Sequence, residues 1–387
     1  MSTTFPISVV CTPGFESVTR DEMIRLGVTI DEAKPAEREP GLIFAQADAR
    51  AIYAMNLHLR TASRVRVNHE TFLAAAFSEL RKKARRIPWA LYLNPGEPIS
   101  VKVTTHASAL YHKKGIAERI AGAVTDALGK ETKLAVANED DDAAGTAPIV
   151  FVRLVRNVCS ISIDTSGDHL HRRGYRLDIA KAPLRENLAA SLLLAAGWPG
   201  DVPLVDPFCG SGTLAIEAAM IAAGLPPGAG RAFAFSRWPS FDPAVWAEVL
   251  AAVPPRRAEG LPFIAGFDRD AGAIAASKAN AVRAGVGDLI RFDKGSISDL
   301  VLPETPGWIV TNPPYGERVK GGPDLRNLYA RMGSVWREAG ALWHIYMVTS
   351  SPRWTGQLGL PVAPVTSFLN GGIPVKLYRV DASAAKL

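Results

Sequence analysis

The carboxyl half of the chain is dominated by one repeated pattern, in which an apolar run of strand length precedes a turn or a helix-like segment. Four segments begin in this way: "PLVDPFCGSGTLAIEAAMIAAG", "FIAGFDRDAGAIAASKANAVRAG", "IRFDKGSI" and "WIVTNPPYGER". Strands that alternate with helices predict a parallel sheet with helices on both faces, which is an α/β architecture. Residues 226–260 are rich in proline, glycine and aromatic side chains, and we predict an insertion there.

The amino half has a different sequence pattern, in which short strand-like and helix-like segments alternate as in an α+β domain. A second such set follows, ending in a predicted β-hairpin at Pro148 to Ser166. A chain of 387 residues is too long for one hydrophobic core of ordinary size. We therefore predict domains at residues 1–60, 61–166 and 183–387, with a linker at 167–182.

Charge, cysteines and hydropathy limit the class of protein. The net charge of +6 permits a polyanionic partner without requiring one. The three cysteines, Cys11, Cys159 and Cys209, are odd in number and widely spaced, which argues against disulfides and a cysteine-based zinc site. A reducing cytoplasm is the expected compartment. Without a signal-like start or an apolar run of about 18 residues, we expect neither export nor membrane insertion.

Acidic residues end three of the predicted strands. Asp206, Asp268 and Asp293 occupy these positions in chain order, and the first precedes a turn that contains Gly210 and Gly212. Ligands of open α/β sheets bind outside the carboxyl ends of the strands, where glycine permits close approach of the backbone. Taken alone, the glycines are also consistent with a simple tight turn, and a single aspartate with a helix cap. Together they favour a nucleotide-like cofactor.

The stretch "TNPPY" ends the last of these strands abruptly. Pro313 and Pro314 cannot extend a strand ladder, so they impose a rigid turn directly after Asn312. The Asn312 amide oxygen and the Pro313 carbonyl are two acceptors that suit an exocyclic NH2 group. Tyr315 adds a ring on which a planar base can stack. The alternative is a plain Pro-Pro turn with a packed tyrosine.

The combination of "DPFCGSGT" with "NPPY" resembles the class I S-adenosylmethionine-dependent amino-methyltransferases. In addition, "LHRRGYR", "PPGAGRAFAFSRW", "NPPYGER" and "FLNGGIPVKLYR" resemble the bacterial RNA methyltransferases with a THUMP domain, a group that includes the 23S rRNA guanine-N2 methyltransferase. The resemblance covers essentially the whole chain. It implies a C-terminal Rossmann-like class I domain with a mostly parallel seven-stranded sheet, preceded by α+β ferredoxin-like and THUMP domains.

The resemblance also implies roles for the residues already singled out. Asp206, Gly210 and Gly212 would surround the methionine part of S-adenosylmethionine, Asp268 would bind its ribose and Asp293 would face its adenine. Asn312, Pro313 and Tyr315 would hold the target base. Glu317 and Arg318 receive no role. Methyl transfer to an amine requires alignment more than a protein base, and all seven histidines lie outside these motifs, so no metal is predicted.

RNA binding is predicted from clusters of basic residues outside the catalytic motifs. The candidates are Arg81, Lys82, Lys83, Arg85, Arg86, Lys113, Lys114, Arg172 and Arg173. Basic and aromatic side chains on one face suit the phosphates and shape of RNA, although without the family resemblance a solvated helix face is the more common explanation of a basic run. The target base would have to leave its stack to reach Tyr315.

The leading hypothesis is an RNA methyltransferase that modifies guanine N2 in 23S rRNA and produces S-adenosylhomocysteine. A tRNA guanine-N2 or an adenine-N6 methyltransferase would use the same turn. A non-catalytic RNA-binding or ribosome-assembly protein need not retain both motifs. A nicotinamide oxidoreductase is disfavoured because the third glycine of the dinucleotide fingerprint is missing. We predict no obligate protein partner.

Overall fold

The computed structural model describes residues 3–31, 39–135, 147–177, 184–315 and 322–383. The chain divides into two compact units, both of them discontinuous in sequence. Unit 1 contains Met1–Val10, Arg20–Leu170 and Arg231–Val253, and unit 2 contains Cys11–Thr19, His171–Gly230 and Pro254–Leu387. The predicted domains were continuous ranges of the chain. Each observed unit is instead assembled from three separate segments. The acidic run 139–142 and the residues Glu317 and Arg318 lie outside the described residues.

Unit 1 is built on a seven-stranded sheet. Its strands are β1 (Phe5–Cys11), β2 (Leu42–Ala47), β3 (Ala62–Asn68), β4 (Phe72–Leu73), β5 (Ser100–His106), β6 (Ile149–Val155) and β7 (Val158–Asp164). The order is β2-β1-β3-β7-β6-β5, and β4 pairs with β7. The predicted hairpin is confirmed, because β6 and β7 are antiparallel neighbours.

Unit 2 carries the second seven-stranded sheet. Its strands are β8 (Leu204–Asp206), β9 (Ile264–Asp268), β10 (Ile290–Lys294), β11 (Gly307–Thr311), β12 (Trp343–Thr349), β13 (Val362–Asn370) and β14 (Ile373–Val380). The order is β10-β9-β8-β11-β12-β14-β13. The first five strands of this order are mutually parallel, and β14 is antiparallel to both of its neighbours. The prediction of a mostly parallel sheet is confirmed.

The helices account for the remaining regular structure of the described residues. They are α1 (Glu16–Arg25), α2 (Ala49–His58), α3 (Phe77–Ala84), α4 (Lys113–Leu128), α5 (Glu186–Ala195), α6 (Thr213–Ala222), α7 (Pro243–Ala251), α8 (Ala271–Arg283), α9 (Gly322–Ala339) and α10 (Pro352–Gln357), with 3-10 turns at Trp89–Leu91, Ala234–Arg237, Ile297–Asp299 and Gly340–Leu342. Within the described part of the chain, no helix combines the length and the apolar character that a membrane crossing needs.

Helices cover both faces of the unit 2 sheet and form two apolar clusters. One cluster packs α5, α6 and α8 against Leu204, Ile264 and Val310. The other packs α9 and α10 against the strand residues next in sequence to those of the first cluster, such as Val205 and Ile309. Because side chains alternate along a strand, consecutive residues such as Leu204 and Val205 enter opposite cores. A strand buried on both faces explains the continuous apolar runs in the sequence.

Part of the predicted insertion belongs to unit 1, although the residues before and after it in the chain belong to unit 2. Residues 231–253 lie between α6 and β9 along the chain, yet they belong to unit 1. Their aromatic residues pack there, since the rings of Phe235 and Tyr53 of α2 stack with centroids 4.3 Å apart. The backbone N–H of Asp242 also donates a hydrogen bond to the Tyr53 hydroxyl at 3.1 Å. The aromatic richness of the insertion therefore reflects packing in unit 1.

The strand order places a cleft at one defined position in unit 2. From β8 the chain proceeds through β9 to β10, then returns to the other side of β8 as β11. The order of the sheet thus reverses between β8 and β11. Ligands of open α/β sheets bind outside the carboxyl ends of the strands at such a switch point. Asp206 and Thr311 end these two strands.

Candidate active site

Asp206 joins the two strands at the switch point. The Thr311 hydroxyl donates a hydrogen bond to Asp206 Oδ1 at 2.6 Å, and the Phe208 backbone N–H donates to the same oxygen at 3.1 Å. Burial raises the pKa of the Asp206 carboxyl to about 7, against the lowering effect of these two donors. The side chain is only 1% exposed. Its contacts indicate that Asp206 ties the loop after β8 to β11.

The glycine turn has the backbone shape that the sequence suggested. Gly210 and Gly212 have φ angles of 53° and 85°, in the left-handed region that other residues seldom adopt. Two side chains of α8 hold the turn in place. Ser277 Oγ donates to the Gly210 carbonyl at 2.7 Å, and Asn280 Nδ2 donates to the Ser211 carbonyl at 3.1 Å. The turn is therefore braced by the helix that packs behind it.

Sequence reasoning missed Ser277 and Asn280. Their spacing of i and i+3 places both on one face of α8, and they are fully buried polar residues. A buried polar pair on an otherwise apolar helix face is the signal that could have identified them. Their partners, however, lie 67 and 69 residues away in the chain, which no local pattern reveals.

Replacing Gly212 tests how tightly this turn is packed. A Cβ atom there would lie 3.0 Å from Phe292 Cζ and from Ser277 Cβ, in addition to the left-handed φ. We expect Gly212→Ala to lower the free energy of unfolding of unit 2 by about 2–4 kcal/mol, measured by urea denaturation. Gly285→Ala is the matched control, because Gly285 has a φ of 72° and a Cβ atom there would have no neighbour within 4 Å. It should cost only about 1 kcal/mol. Equal losses would show that packing around the turn is loose.

Asp268 and Asp293 occupy neighbouring strand ends with different surroundings. Asp268 is half-buried and accepts hydrogen bonds from the backbone N–H groups of Gly210 at 3.1 Å and Asp270 at 2.9 Å. This brings the end of β9 against the glycine turn. Asp293 instead pairs with Arg291, and Lys294 is the register partner of Asp268. The structure therefore places Asp268 at the turn and does not show a contact between Asp293 and Asp268.

The Asn-Pro-Pro-Tyr turn follows β11 at the same edge of the sheet. Asn312 Oδ1 is buried and has no hydrogen-bond partner among the described residues. Leaving a buried acceptor unsatisfied costs about 1–3 kcal/mol, so such atoms need an explanation. The explanation that fits a cleft is an acceptor for a donor on a ligand. Pro313 is buried beside it and keeps the turn rigid.

Two further residues hold this turn, and sequence reasoning did not assign either of them. Asn370 Nδ2 donates a hydrogen bond to the Tyr315 hydroxyl at 2.7 Å. The Tyr329 hydroxyl donates to the Pro314 carbonyl at 3.3 Å. The quoted motif "FLNGGIPVKLYR" contains Asn370 but gives no reason to connect it with Tyr315. The hairpin β13–β14 and the helix α9 thus fix the orientation of the tyrosine ring and the turn.

The predicted RNA-binding residues divide into three groups. Those with exposed side chains are Lys82, Arg85, Arg86, Lys113, Lys114 and Arg172. Arg81 and Lys83 are engaged locally: Arg81 donates two hydrogen bonds of 2.7 Å to Asp126, and Lys83 Nζ donates to the Leu73 carbonyl at 2.6 Å. The position of Arg173 argues against its predicted role in RNA binding. Its side chain is 2% exposed and lies 3.6 Å from the Glu217 carboxylate, so it is not presented to a phosphate.

The donor set at the switch point fits S-adenosylmethionine. The left-handed glycines bring backbone close to the cleft without a Cβ, and the half-buried Asp268 offers carboxylate oxygens suited to a ribose diol. The described residues contain no cluster of three or more histidine, cysteine or acidic side chains with the geometry of a metal site.

Three family models match successive parts of the chain. Residues 7–66 match the RlmL ferredoxin-like domain, residues 74–164 match the THUMP domain, and residues 173–363 match the RMKL-like methyltransferase domain. Together they confirm the predicted fold class and the predicted resemblance. The methyltransferase match includes the switch point and the Asn-Pro-Pro-Tyr turn.

Two curated relatives show how far the similarity extends. A protein named ribosomal RNA large subunit methyltransferase K/L from Syntrophotalea carbinolica is 34% identical over 95% of this chain and 52% of its own length. The chain thus spans about half the length of this relative. A protein named putative RNA methyltransferase YpsC from Bacillus subtilis is 33% identical over 95% of this chain and 93% of its own length.

Solved structures agree with the fold and the cofactor. SMU.472, described as a putative methyltransferase complexed with SAH, superposes with a TM-score of 0.85 at 28% identity and full coverage of both chains. A possible methylase from Clostridium difficile 630 has a TM-score of 0.85 at 32% identity, with 98% of each chain covered. The chain therefore belongs to the family of S-adenosylmethionine-dependent methyltransferases that join ferredoxin-like and THUMP domains to an RMKL-like methyltransferase domain.

Proposed function

We propose that this enzyme methylates an exocyclic amine of an RNA base, and that the base is guanine, modified at N2, in 23S rRNA. The THUMP match and the relatives named as RNA methyltransferases support RNA as the substrate. Large-subunit rRNA is the proposed target because the K/L relatives carry that name. The proposed site of action is the cytoplasm, where ribosomal RNA is processed in bacteria.

The observation that carries the proposal is the unpartnered Asn312 Oδ1, which is buried and has no hydrogen-bond partner among the described residues. Asn312 comes directly after the carboxyl end of β11. That strand lies next to β8, which is followed by the glycine turn, so Asn312 lies at the switch point of the sheet. An exocyclic NH2 group supplies hydrogen-bond donors and a nitrogen lone pair directed away from them. A base bound through this donor would satisfy the acceptor and orient its nitrogen at the same time. A hydroxyl or carbon nucleophile would not need this arrangement.

The rest of the turn would complete the base pocket. The Pro313 carbonyl is held by a rigid turn, so it would serve as a second acceptor for the amine. Tyr315 would stack on the base, with its ring fixed by the hydrogen bond from Asn370. When bound, S-adenosylmethionine supplies an activated methyl group on a sulfonium. The protein would contribute alignment and exclusion of water, and a separate general base is not required.

The proposed cofactor residues are those predicted from the sequence, with roles adjusted to their contacts. Gly210 and Gly212 would border the methionine part, and Asp268 would accept hydrogen bonds from the ribose hydroxyls. Asp293 would face the adenine from the adjacent strand end. Asp206 would act indirectly, by holding the loop after β8 against β11, because its Oδ1 already accepts hydrogen bonds from the Thr311 hydroxyl and the Phe208 N–H. These assignments define which substitutions should affect cofactor binding and which should affect transfer.

Methyl transfer to isolated RNA fractions tests the proposal. The purified protein, with S-adenosylmethionine labelled in its methyl group, would be incubated with 23S rRNA, 16S rRNA and tRNA from cells that lack the gene. The expected product is N2-methylguanosine in the 23S fraction, identified by mass spectrometry of the nucleosides. A matched reaction with Asn312→Ala separates enzyme-dependent label from background.

Each alternative gives a different product. N2-methylguanosine confined to tRNA would move the activity to the tRNA alternative. N6-methyladenosine would replace guanine by adenine as the target. Binding of S-adenosylmethionine without transfer to any RNA fraction would contradict an RNA methyltransferase and favour a binding or assembly role.

A further inference from the structure

The sequence "RRGYR" at residues 172–176 has no role in the proposed chemistry, although it belongs to one of the quoted family motifs. Arg173 and Tyr175 are buried, with 6% and 3% of their surface exposed, whereas Arg172 and Gly174 are exposed. One side of the segment therefore lies against the rest of unit 2. Buried polar groups need hydrogen-bond partners, so the partners of Arg173 and Tyr175 indicate what the segment does.

Glu217 of α6 is the first of these partners. Its carboxylate is fully buried, accepts a hydrogen bond from the Tyr175 hydroxyl at 3.0 Å and lies 3.6 Å from Arg173 Nε. Burial and the Glu217 charge both raise the pKa of Tyr175, so the hydroxyl keeps its proton and remains a donor. A buried carboxylate is costly unless it is paired and hydrogen-bonded. The segment supplies both, about one helical turn after the start of α6 at Thr213.

Arg283, in the last turn of α8, is the second partner. Its Nε donates a hydrogen bond to the Tyr175 carbonyl at 2.8 Å, and its Nη2 donates to Asn280 Oδ1. A guanidinium has donors only, so it can pair only with the oxygen of the Asn280 amide. That leaves Asn280 Nδ2 to donate to the Ser211 carbonyl, inside the glycine turn, at 3.1 Å. Three hydrogen bonds thus connect Tyr175 with the cofactor turn.

Arg176 anchors the end of the segment. Its Nη1 donates a hydrogen bond to the Leu184 carbonyl at 3.0 Å, and its Nη2 donates to Glu186 Oε2 at 3.1 Å. Glu186 is 2% exposed and lies in the first turn of α5. The segment is therefore bound through separate polar groups to α5, α6 and α8. These are the three helices of the apolar cluster that packs behind the glycine turn.

We propose that Tyr175 and Arg283 are positioning residues that hold the glycine turn in the conformation that binds S-adenosylmethionine. They act through Asn280 and the Ser211 carbonyl, and neither is assigned a contact with the cofactor. A turn that is already held in place loses less conformational entropy on binding than a turn that the cofactor must order. The inference concerns affinity for the cofactor, so it does not depend on which RNA base is methylated.

Isothermal titration with S-adenosylmethionine, in the absence of RNA, tests the role of Arg283. Arg283→Lys keeps the charge, but a single ammonium lacks the planar fork that reaches the Asn280 amide and the Tyr175 carbonyl together. We expect about 10-fold weaker binding by this variant of the full chain. Arg256→Lys is the matched control, because the hydrogen bonds of Arg256 go to the Asp288 carboxylate. Its affinity should stay within about twofold of the parent.

Tyr175→Phe tests the other end of the connection, because it removes only the hydroxyl that donates to Glu217. Binding should weaken at least about threefold. Tyr378→Phe is the control, since Tyr378 is a buried tyrosine of the other apolar cluster of unit 2. When Arg283→Lys and Tyr175→Phe are combined, the loss of affinity should be smaller than the product of the two single losses. Both substitutions loosen the same connection, so their effects are not independent.

Hydrogen exchange of the cofactor-free protein provides a local measurement. The N–H groups of Cys209, Gly210 and Gly212 are hydrogen-bonded at the turn, so their exchange reports its opening. Peptides that cover residues 207–213 should exchange at least about threefold faster in Arg283→Lys than in the parent. Peptides from β11 and β12 should exchange at the parental rate, whereas a general loss of stability would raise exchange throughout unit 2.

Three outcomes would overturn the proposal. The first is an affinity of Arg283→Lys equal to that of Arg256→Lys. The second is a double variant whose loss of affinity equals the product of the single losses. The third is faster exchange spread evenly over unit 2, which would make the network a general support of the fold. No measurement here uses RNA, so this inference and the proposed RNA target can fail separately.

Discussion

Asn312→Ala should lower the rate of methyl transfer by at least about 100-fold, the loss typical when a preorganised hydrogen bond to the reacting group is removed. The substitution deletes the buried acceptor that has no partner among the described residues. It also removes a cost, because the unsatisfied atom no longer has to be buried. We therefore expect the variant to unfold at the same urea concentration as the parent or a higher one. Single-turnover transfer from labelled cofactor to rRNA measures the effect.

Asn312→Asp is the control that keeps both the size of the side chain and an acceptor oxygen, so that the effect of losing the acceptor can be measured against it. It keeps an oxygen at the same position and should retain more transfer than Asn312→Ala. Isothermal titration should show the affinity for S-adenosylmethionine unchanged within about threefold in both variants, since neither touches the glycine turn or Asp268. Transfer by Asn312→Ala at the parental rate would mean that the amine is held by another group.

The architecture of unit 2 could be predicted because its signals are local. Each strand is an apolar run, each ends at a polar or proline residue, and the glycines at 210 and 212 mark a turn of left-handed backbone. The ends of parallel strands meet at one edge of a sheet by necessity. The proximity of Asp206, Asp268 and Asn312 therefore follows from order along the chain, before any contact is known.

The individual roles of these residues depend on contacts between distant segments. Asp206 ends its strand as predicted, but one of its oxygens accepts a hydrogen bond from the hydroxyl of Thr311, 105 residues later in the chain. Arg173 lies in a basic run, yet the fold pairs it with Glu217 on α6. A basic run indicates a solvated or nucleic-acid-binding surface until the partner of each charge is known. Single-sequence patterns do not contain that information.

The contact between Arg66 and the Phe151 ring in unit 1 illustrates the same limit more strongly. Arg66 and Phe151 are about 85 positions apart in the chain, and neither belongs to a cluster of basic or aromatic residues that attracts notice. The alternation "RVRVN" at 64–68 indicates a strand with one polar face. Only the pairing of β3 with β7 and of β7 with β6 brings that face beside Phe151. The insertion 231–253 is comparable, because its aromatic residues give no indication that they pack in unit 1.

Asp268→Ala should weaken the binding of S-adenosylmethionine by about 100-fold, measured by isothermal titration. A ribose diol would donate two hydrogen bonds to this carboxylate, and bonds to charged groups contribute about 1.5–3 kcal/mol each. The carboxylate also accepts the backbone N–H groups of Gly210 and Asp270, so its removal releases the cofactor turn from the end of β9. Both effects act in the same direction on affinity.

Asp270→Ala separates cofactor binding from local stability at the same strand end. Asp270 caps α8 by accepting hydrogen bonds from the N–H groups of Gly272 and Ala273, and it makes no side-chain contact with Gly210 among the described residues. Loss of such a cap costs about 1 kcal/mol of stability. Affinity for the cofactor should stay within about threefold of the parent, because the carboxylate of Asp268 is retained. If both variants lose affinity equally, the binding determinant is the geometry of the β9–α8 turn, and the diol contact of Asp268 is not the reason for the loss.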